Sequence, residues 1–253
     1  MLAFAPTLAP SQTAYREVEV KNGGTIRGTV RLAGDPANLP AIPITKDNTV
    51  CGKNKANPTL IVGKNAGVKN SIVYLDGITQ GKKMSELMKP VLDQVRCEYE
   101  PHVVIVPSGG KMEIVNSDTV LHTVHAYNLS RSGPMGLMTV FNLALPVKGM
   151  RIPKQVTTNG ILLNLCDTGH AWMIAYVITA EHPYYAVTDA DGNFNLDNVP
   201  PGTYTLRMWH EPVLSINEKT TSHSLLQSKE YVQENKVTVT SGGTQTVVFD
   251  LIL

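Results

Sequence analysis

The chain has 253 residues, 42% hydrophobic and 6% aromatic, with a formal net charge of +1. That is room for one large or two smaller cores, and a near-neutral balance with scattered Lys and Arg gives no footing for nucleic acid or an anionic membrane. The longest apolar runs, at 161–165 and 171–180, fall short of the ~20 residues a membrane-crossing helix needs.

Residues 1–10, Met-Leu-Ala-Phe-Ala-Pro-Thr-Leu-Ala-Pro, are apolar but lack a basic start. Within an N-terminal extension over 1–23 they fit the tail of a secretion signal that begins upstream, and equally an unstructured end. From residue 25 strand signals dominate. Period-two alternation runs through 25–32, 71–75, 102–106, 111–115, 204–208, 236–240 and 246–251. Gly, Pro, Asn and Asp interrupt it at short intervals, the pattern of an all-β sandwich or barrel. Helical periodicity is confined to 84–89 and 222–234, the second polar and with little apolar stripe.

One segment concentrates soft metal donors: Cys166-Asp-Thr-Gly-His170-Ala-Trp-Met173. Upstream, Asn116-Ser-Asp-Thr-Val-Leu-His122-Thr-Val supplies a second imidazole. Two His, one Cys and a weak Met are the donor set of a mononuclear electron-transfer copper site. Thiolate and thioether suit Cu(I), imidazole suits both oxidation states, and one site then holds both with little rearrangement. Cys166 ends one strand signal and Ile174 begins the next, so the loop between folds over the ion. His125 lies three residues beyond His122 and faces the other side of a regular strand. It is expected to pack or face solvent, or to meet a redox partner. The three cysteines are Cys51, Cys97 and Cys166. With Cys166 on the metal, the other two form either a disulfide, as in an oxidising compartment, or a pair of free thiols.

Residues 187–206 read Val-Thr-Asp-Ala-Asp-Gly-Asn-Phe-Asn-Leu-Asp-Asn-Val-Pro-Pro-Gly-Thr-Tyr-Thr-Leu. Asp191-Gly192 and Pro201-Gly202 mark tight turns between alternating strands. This stretch resembles the carboxypeptidase regulatory-like, or transthyretin-like, β-sandwich. The resemblance implies earlier strands at 28–32 and 71–75 and closing strands at 236–240 and 246–253. That divides the chain into a discontinuous sandwich over 24–96 and 182–253 with a second unit, 97–181, inserted.

The inserted unit resembles a cupredoxin, a Greek-key sandwich. Pro107-Ser-Gly-Gly-Lys-Met-Glu-Ile-Val-Asn is similar to the strand entering the first ligand, and His122-Thr-Val to that ligand. Residues 166–173 are similar to an amicyanin-type ligand loop, and Ile174-Ala-Tyr-Val-Ile-Thr to the closing strand. The whole is similar to methylamine utilisation-type and other cupredoxin-containing exported bacterial proteins. The resemblance implies one type 1 copper ion on His122, Cys166, His170 and Met173. It implies a non-enzymatic, periplasmic or extracellular electron carrier whose partner is a cytochrome or oxidoreductase, with the sandwich as scaffold or as part of a larger complex. Two departures stand out. Gly169 makes three residues between Cys166 and His170 where the amicyanin-type loop has two. Thr123 and Asp167 replace the usual pair that bonds across the site, with Thr123 expected to donate to the Asp167 carboxylate. Ala171 and Trp172 are expected to form an apolar patch for electron exit.

Other readings are a structural or adhesive surface subunit with a vestigial site, and a copper storage or delivery protein. Asp189-Ala-Asp191-Gly-Asn193 lacks the spacing of a calcium loop and reads as a β-turn. Asn128-Leu-Ser is a glycosylation sequon. His102 and His182 read as structural; His210-Glu211 reads as packing, with the alternative of lining a domain interface. No hydrolase, zincin or phosphate-loop signature occurs.

Overall fold

A computed structural model describes residues 14–35, 39–84, 90–133, 136–216 and 228–253. In chain order its strands of three or more residues are β1 (Gly24–Leu32), β2 (Ile72–Asp76), β3 (Val91–Val95), β4 (Glu98–Glu100), β5 (Val103–Pro107), β6 (Lys111–Asn116), β7 (His122–Gly133), β8 (Gly136–Leu145), β9 (Arg151–Gln155), β10 (Ile161–Leu165), β11 (Ile174–Ala180), β12 (Tyr185–Val187), β13 (Asn193–Val199), β14 (Gly202–His210), β15 (Tyr231–Val239) and β16 (Thr244–Leu251). The α-helix α1 (Asn48–Cys51) has a single turn. Among the described residues no helix is long and apolar enough to cross a membrane.

The strands form two pairs of sheets. One pair has the orders β9-β6-β3-β4 and β8-β7-β10-β11-β5; the other has β12-β2-β14-β15 and β13-β1-β16. The first encloses a core that includes Leu92, Ile114, Val124, Leu162 and Val177. The second encloses Ile26, Val30, Phe194, Leu206 and Phe249. Strand β11 is buried at every residue. Flanked by β10 and β5, it also meets the second sandwich, where Tyr176 packs edge-on to Trp209 at 5.1 Å between ring centres. Burial on both faces explains why it reads as one apolar run rather than an alternation.

Two sequence expectations change. Strand β3 pairs in parallel with β6, so the first sheet pair begins at residue 91 rather than at 97. Residues 231–234 of the helix expected over 222–234 belong to β15, which pairs antiparallel with β14; the rest of that stretch up to 227 lies outside the described residues. There β15 alternates burial on an outer strand, a weak period-two signal among polar residues. The helix expected at 84–89 lies outside the described residues apart from Met84. In the N-terminal extension, Arg16–Glu17 pairs in parallel with Gln80–Gly81.

Two close approaches explain their sequences. A Cβ on Gly28 would sit 1.8 Å from the Val247 carbonyl oxygen, so only glycine lets β1 and β16 meet there. Gly192 has φ +77° in the turn before β13. There Asp189 Oδ1 accepts the N–H groups of Asp191 and Asn193, an Asx-type turn in place of a calcium loop.

Cys51 and Cys97 are joined in a disulfide. It ties α1 to the two-residue turn between β3 and β4, in which Arg96 and Cys97 both have positive φ, 51° and 58°. Side chains with a Cβ disfavour this region. Here the Asp118 carboxylate accepts both turn N–H groups at 2.7 Å, which offsets the cost.

Candidate metal centre

Three of the four predicted donors, His122, Cys166 and His170, come together at one end of the β7–β10–β11 sheet, with Met173 buried on the same loop. His122 is the first residue of β7, Cys166 follows β10, and His170 and Met173 lie on the loop leading into β11. Gly169 takes φ +88° in this loop, and the Met173 N–H donates to the His170 carbonyl at 2.8 Å. The added residue thus sits where the chain must turn back. All four donors are buried: His122 and His170 at 0% exposure, Met173 at 1% and Cys166 at 4%.

Cys166 Sγ lies 3.9 Å from His122 Nδ1 and 3.6 Å from His170 Nδ1. One donor atom from each of the three residues falls within 4.8 Å of the others. Donors bound at about 2.0–2.1 Å (nitrogen) and about 2.3 Å (sulfur) lie at such separations when the angle between their bonds is on the order of 110–130°. The donor set therefore fits one soft or borderline transition ion.

The far side of each ring strengthens the fit. His122 Nε2 is 2.9 Å from Asp118 Oδ2, and His170 Nε2 is 2.9 Å from Asp47 Oδ2. A carboxylate accepts, so each Nε2 carries the proton and each Nδ1 turns a lone pair toward the sulfur. Such outer partners fix ring orientation and raise ligand basicity.

Burial pushes the Cys166 thiol up. Contacts with the His170 ring, the Thr123 N–H and Thr168 outweigh it and leave the thiol below its ordinary value. The Thr123 N–H lies 3.4 Å and the Thr168 hydroxyl 3.1 Å from Sγ. A thiolate is the form that binds metal.

Several finer expectations are corrected. Thr123 does not donate to the Asp167 carboxylate: its hydroxyl accepts the Asp167 backbone N–H at 2.8 Å. The carboxylate turns instead to His125 Nδ1, at 2.5 Å. His125 also meets the Tyr127 and Thr139 hydroxyls, so it belongs to a polar cluster beside the site. Trp172 forms no surface patch. It is 6% exposed, packs edge-on to His170 at 5.2 Å and donates Nε1–H to the Cys97 carbonyl. Its remaining edge faces a cleft of about 700 Å³ shared with Tyr99 and His102. Glu211 is not mere packing, because it reaches from the end of β14 to His102 Nε2. Asn128 is 1% exposed within β7, so this sequon is closed to a glycan.

Sequence reasoning missed Asp118 and Asp47. Asp118 had a local signal: its N–H caps back to Asn116 Oδ1, four residues before His122. Asp47 had none, being 123 positions from His170.

The chain matches the family model described as polysaccharide lyase family 4, domain II, over residues 155–247. That span is under half of the chain. It contains residues 187–206, and takes the place of the carboxypeptidase regulatory-like family expected there. No curated protein matches the chain. Among solved structures, it is similar to a Cu-containing nitrite reductase from Thermus scotoductus SA-01, at 21% identity, TM-score 0.29, over 38% of this chain and 23% of that one. It is similar to the P52G mutant of amicyanin in its reduced Cu(I) form, at 22% identity, TM-score 0.30, over 36% and 80%. A purple cupredoxin from Nitrosopumilus maritimus matches at 18% identity, TM-score 0.30, over 36% and 97%. The chain thus spans less than a quarter of the nitrite reductase. The donor geometry, not these similarities, carries the functional reading.

Proposed function

We propose that the chain holds one copper ion on His122, Cys166 and His170, with Met173 as a weak fourth donor, and passes single electrons to a partner protein. The observation that carries this reading is the pair of imidazoles turned Nδ1-inward on one buried sulfur. Copper bound there supplies exchange of one electron at a time, and a thiolate with imidazoles suits both of its oxidation states. The residues do the rest. Thr123 and Thr168 contact the sulfur, Asp118 and Asp47 hold the two rings, and the packed loop keeps water away. Little has to move when the charge changes.

Electrons leave through Trp172, whose ring touches His170 on one side and the cleft on the other. The partner on this reading is a small redox protein such as a cytochrome, or an oxidoreductase, docking weakly and transiently as such pairs do. The carrier is not itself an enzyme. The disulfide supports an oxidising, periplasmic or extracellular setting.

Titrating metal-free protein with Cu(II) tests this. The expected result is one equivalent bound, an intense thiolate-to-copper absorption band lost in Cys166→Ser, and retention of copper through repeated reduction and reoxidation. Binding without the band sinks the site. Loss of copper at each reduction sinks electron transfer in favour of delivery.

A further inference from the structure

The carboxylates behind the two imidazoles are joined to each other through the disulfide. Asp118 Oδ2 accepts the His122 Nε2–H and also the Cys97 N–H. Asp47 precedes α1; its side chain accepts the His170 Nε2–H, and its carbonyl accepts the Cys51 N–H at 2.8 Å. Cys51 and Cys97 close the ring between them. Their sulfurs lie within 4.8 Å of a ring nitrogen of His170, and the Cys97 carbonyl accepts from Trp172.

We infer that Asp47, Asp118 and the Cys51–Cys97 disulfide act as one clamp, built mostly outside the donor-bearing sheet, that positions both imidazole ligands and governs how tightly the metal is kept. The inference rests on the metal reading above and adds residues that it does not require. The physical ground is the weakness of α1 by itself. One turn of helix is far below the length that is stable alone, and Asp47 holds a left-handed conformation, φ 53°, without a glycine. The local strand pair carrying it, Ile42–Pro43 with Asn54–Lys55, has two residues on each side. The disulfide is the covalent tie that keeps this segment over His170. Asp47, Asp118 and the two cysteines are positioning residues: they act on the metal through the rings.

Two readouts test the clamp. The first needs no metal: ¹⁵N NMR of the imidazoles in metal-free protein reports which ring nitrogen is protonated and how rigidly. The wild type is expected to show Nε2–H on both His122 and His170. Asp47→Ala and the double variant Cys51→Ser/Cys97→Ser are each expected to mix the His170 tautomers, while Asp47→Asn, whose amide oxygen still accepts, restores the wild-type signal. The second readout is copper release to a chelator. Asp47→Ala and the disulfide variant should each speed it by about 10–100-fold, the usual cost of a lost outer-shell partner. All three substitutions combined should cost no more than the larger of the two effects, because groups acting through one unit are not additive.

Unchanged tautomers and unchanged release in Asp47→Ala overturn the clamp. So does full additivity of the combined variant, which would make the disulfide a separate stabiliser. If the wild type takes up no copper, the metal reading fails by itself, and the ring tautomers still decide the clamp. If the disulfide variant does not fold by circular dichroism, Asp47→Ala against Asp47→Asn decides it.

Discussion

Among the described residues, two regions set imidazoles against carboxylates, and only one converges on a third donor. At the loop end of the first sandwich, His122 meets Asp118 and His170 meets Asp47, with Cys166 between the inner ring nitrogens. At the junction of the two sandwiches, His102 meets Glu211, which is 3% exposed. There aromatic rings pack alongside, Tyr176 at 5.8 Å from His102 and Trp209 at 5.1 Å from Tyr176. Burial, and after it the Glu211 charge, holds the Tyr176 hydroxyl well above its usual range, so it stays neutral. The contrast teaches that an imidazole–carboxylate pair fixes a tautomer and a position. A metal site needs more: a soft anion aimed at the free face of the ring.

The largest effect that can break this contrast is expected at the thiol. Cys166→Ser should abolish the thiolate-to-copper band altogether while leaving the fold intact by circular dichroism. Glu211→Ala should do the reverse. Leaving the His102 ring without its acceptor costs about 1–3 kcal/mol, to be read as a fall in the urea midpoint, while copper uptake per folded molecule stays at one equivalent. Loss of copper in that variant would mean the two regions are coupled.

A further buried histidine sharpens the comparison. His182 is 6% exposed and has no carboxylate in hydrogen-bond contact; its ring accepts the Tyr184 N–H. Burial lowers it to about 4 from 6.5. The unfolded chain therefore takes up a proton as pH drops below 6.5, while the folded chain resists until about 4. Stability from this group is fully present above pH 6.5 and is lost as pH falls toward 4. The loss is on the order of 3 kcal/mol from the 2.5-unit difference. His182→Gln should flatten that part of the pH–stability profile relative to wild type; an unchanged slope would show that His182 is not its source. The smallest effect is expected on the surface. Arg31 and Asp250 pair with side chains 53% and 47% exposed. Solvent-screened pairs of this kind contribute little, so Asp250→Asn should leave the urea midpoint within error.

How much of this was legible in the sequence follows from how far apart the interacting residues lie. The donors Cys166, His170 and Met173 sit in one eight-residue segment, and alternation marked the strands that deliver it. His122 and His125, three positions apart on one strand, face opposite sides, and the resemblance of His122-Thr-Val to a ligand strand chose between them. The disulfide followed from an odd cysteine count only as one of two options. What stayed hidden depends on tertiary packing. Asp47 approaches His170 across 123 positions. Trp172 reads as an exposed surface patch until Cys97, 75 positions away, is seen to bind its indole N–H. The Asp167 side chain was expected at Thr123, but His125 across the sheet offers an ionisable ring and captures it. Residues 231–234 looked helical because an exposed outer strand has too few apolar positions to show its period.

The most direct test of the central claim is X-ray absorption of the copper-loaded protein at the copper edge. One short sulfur scatterer with two imidazole nitrogens, and loss of the sulfur shell in Cys166→Ser, is the result this account predicts. A first shell of nitrogen and oxygen alone, unchanged by that substitution, would contradict it.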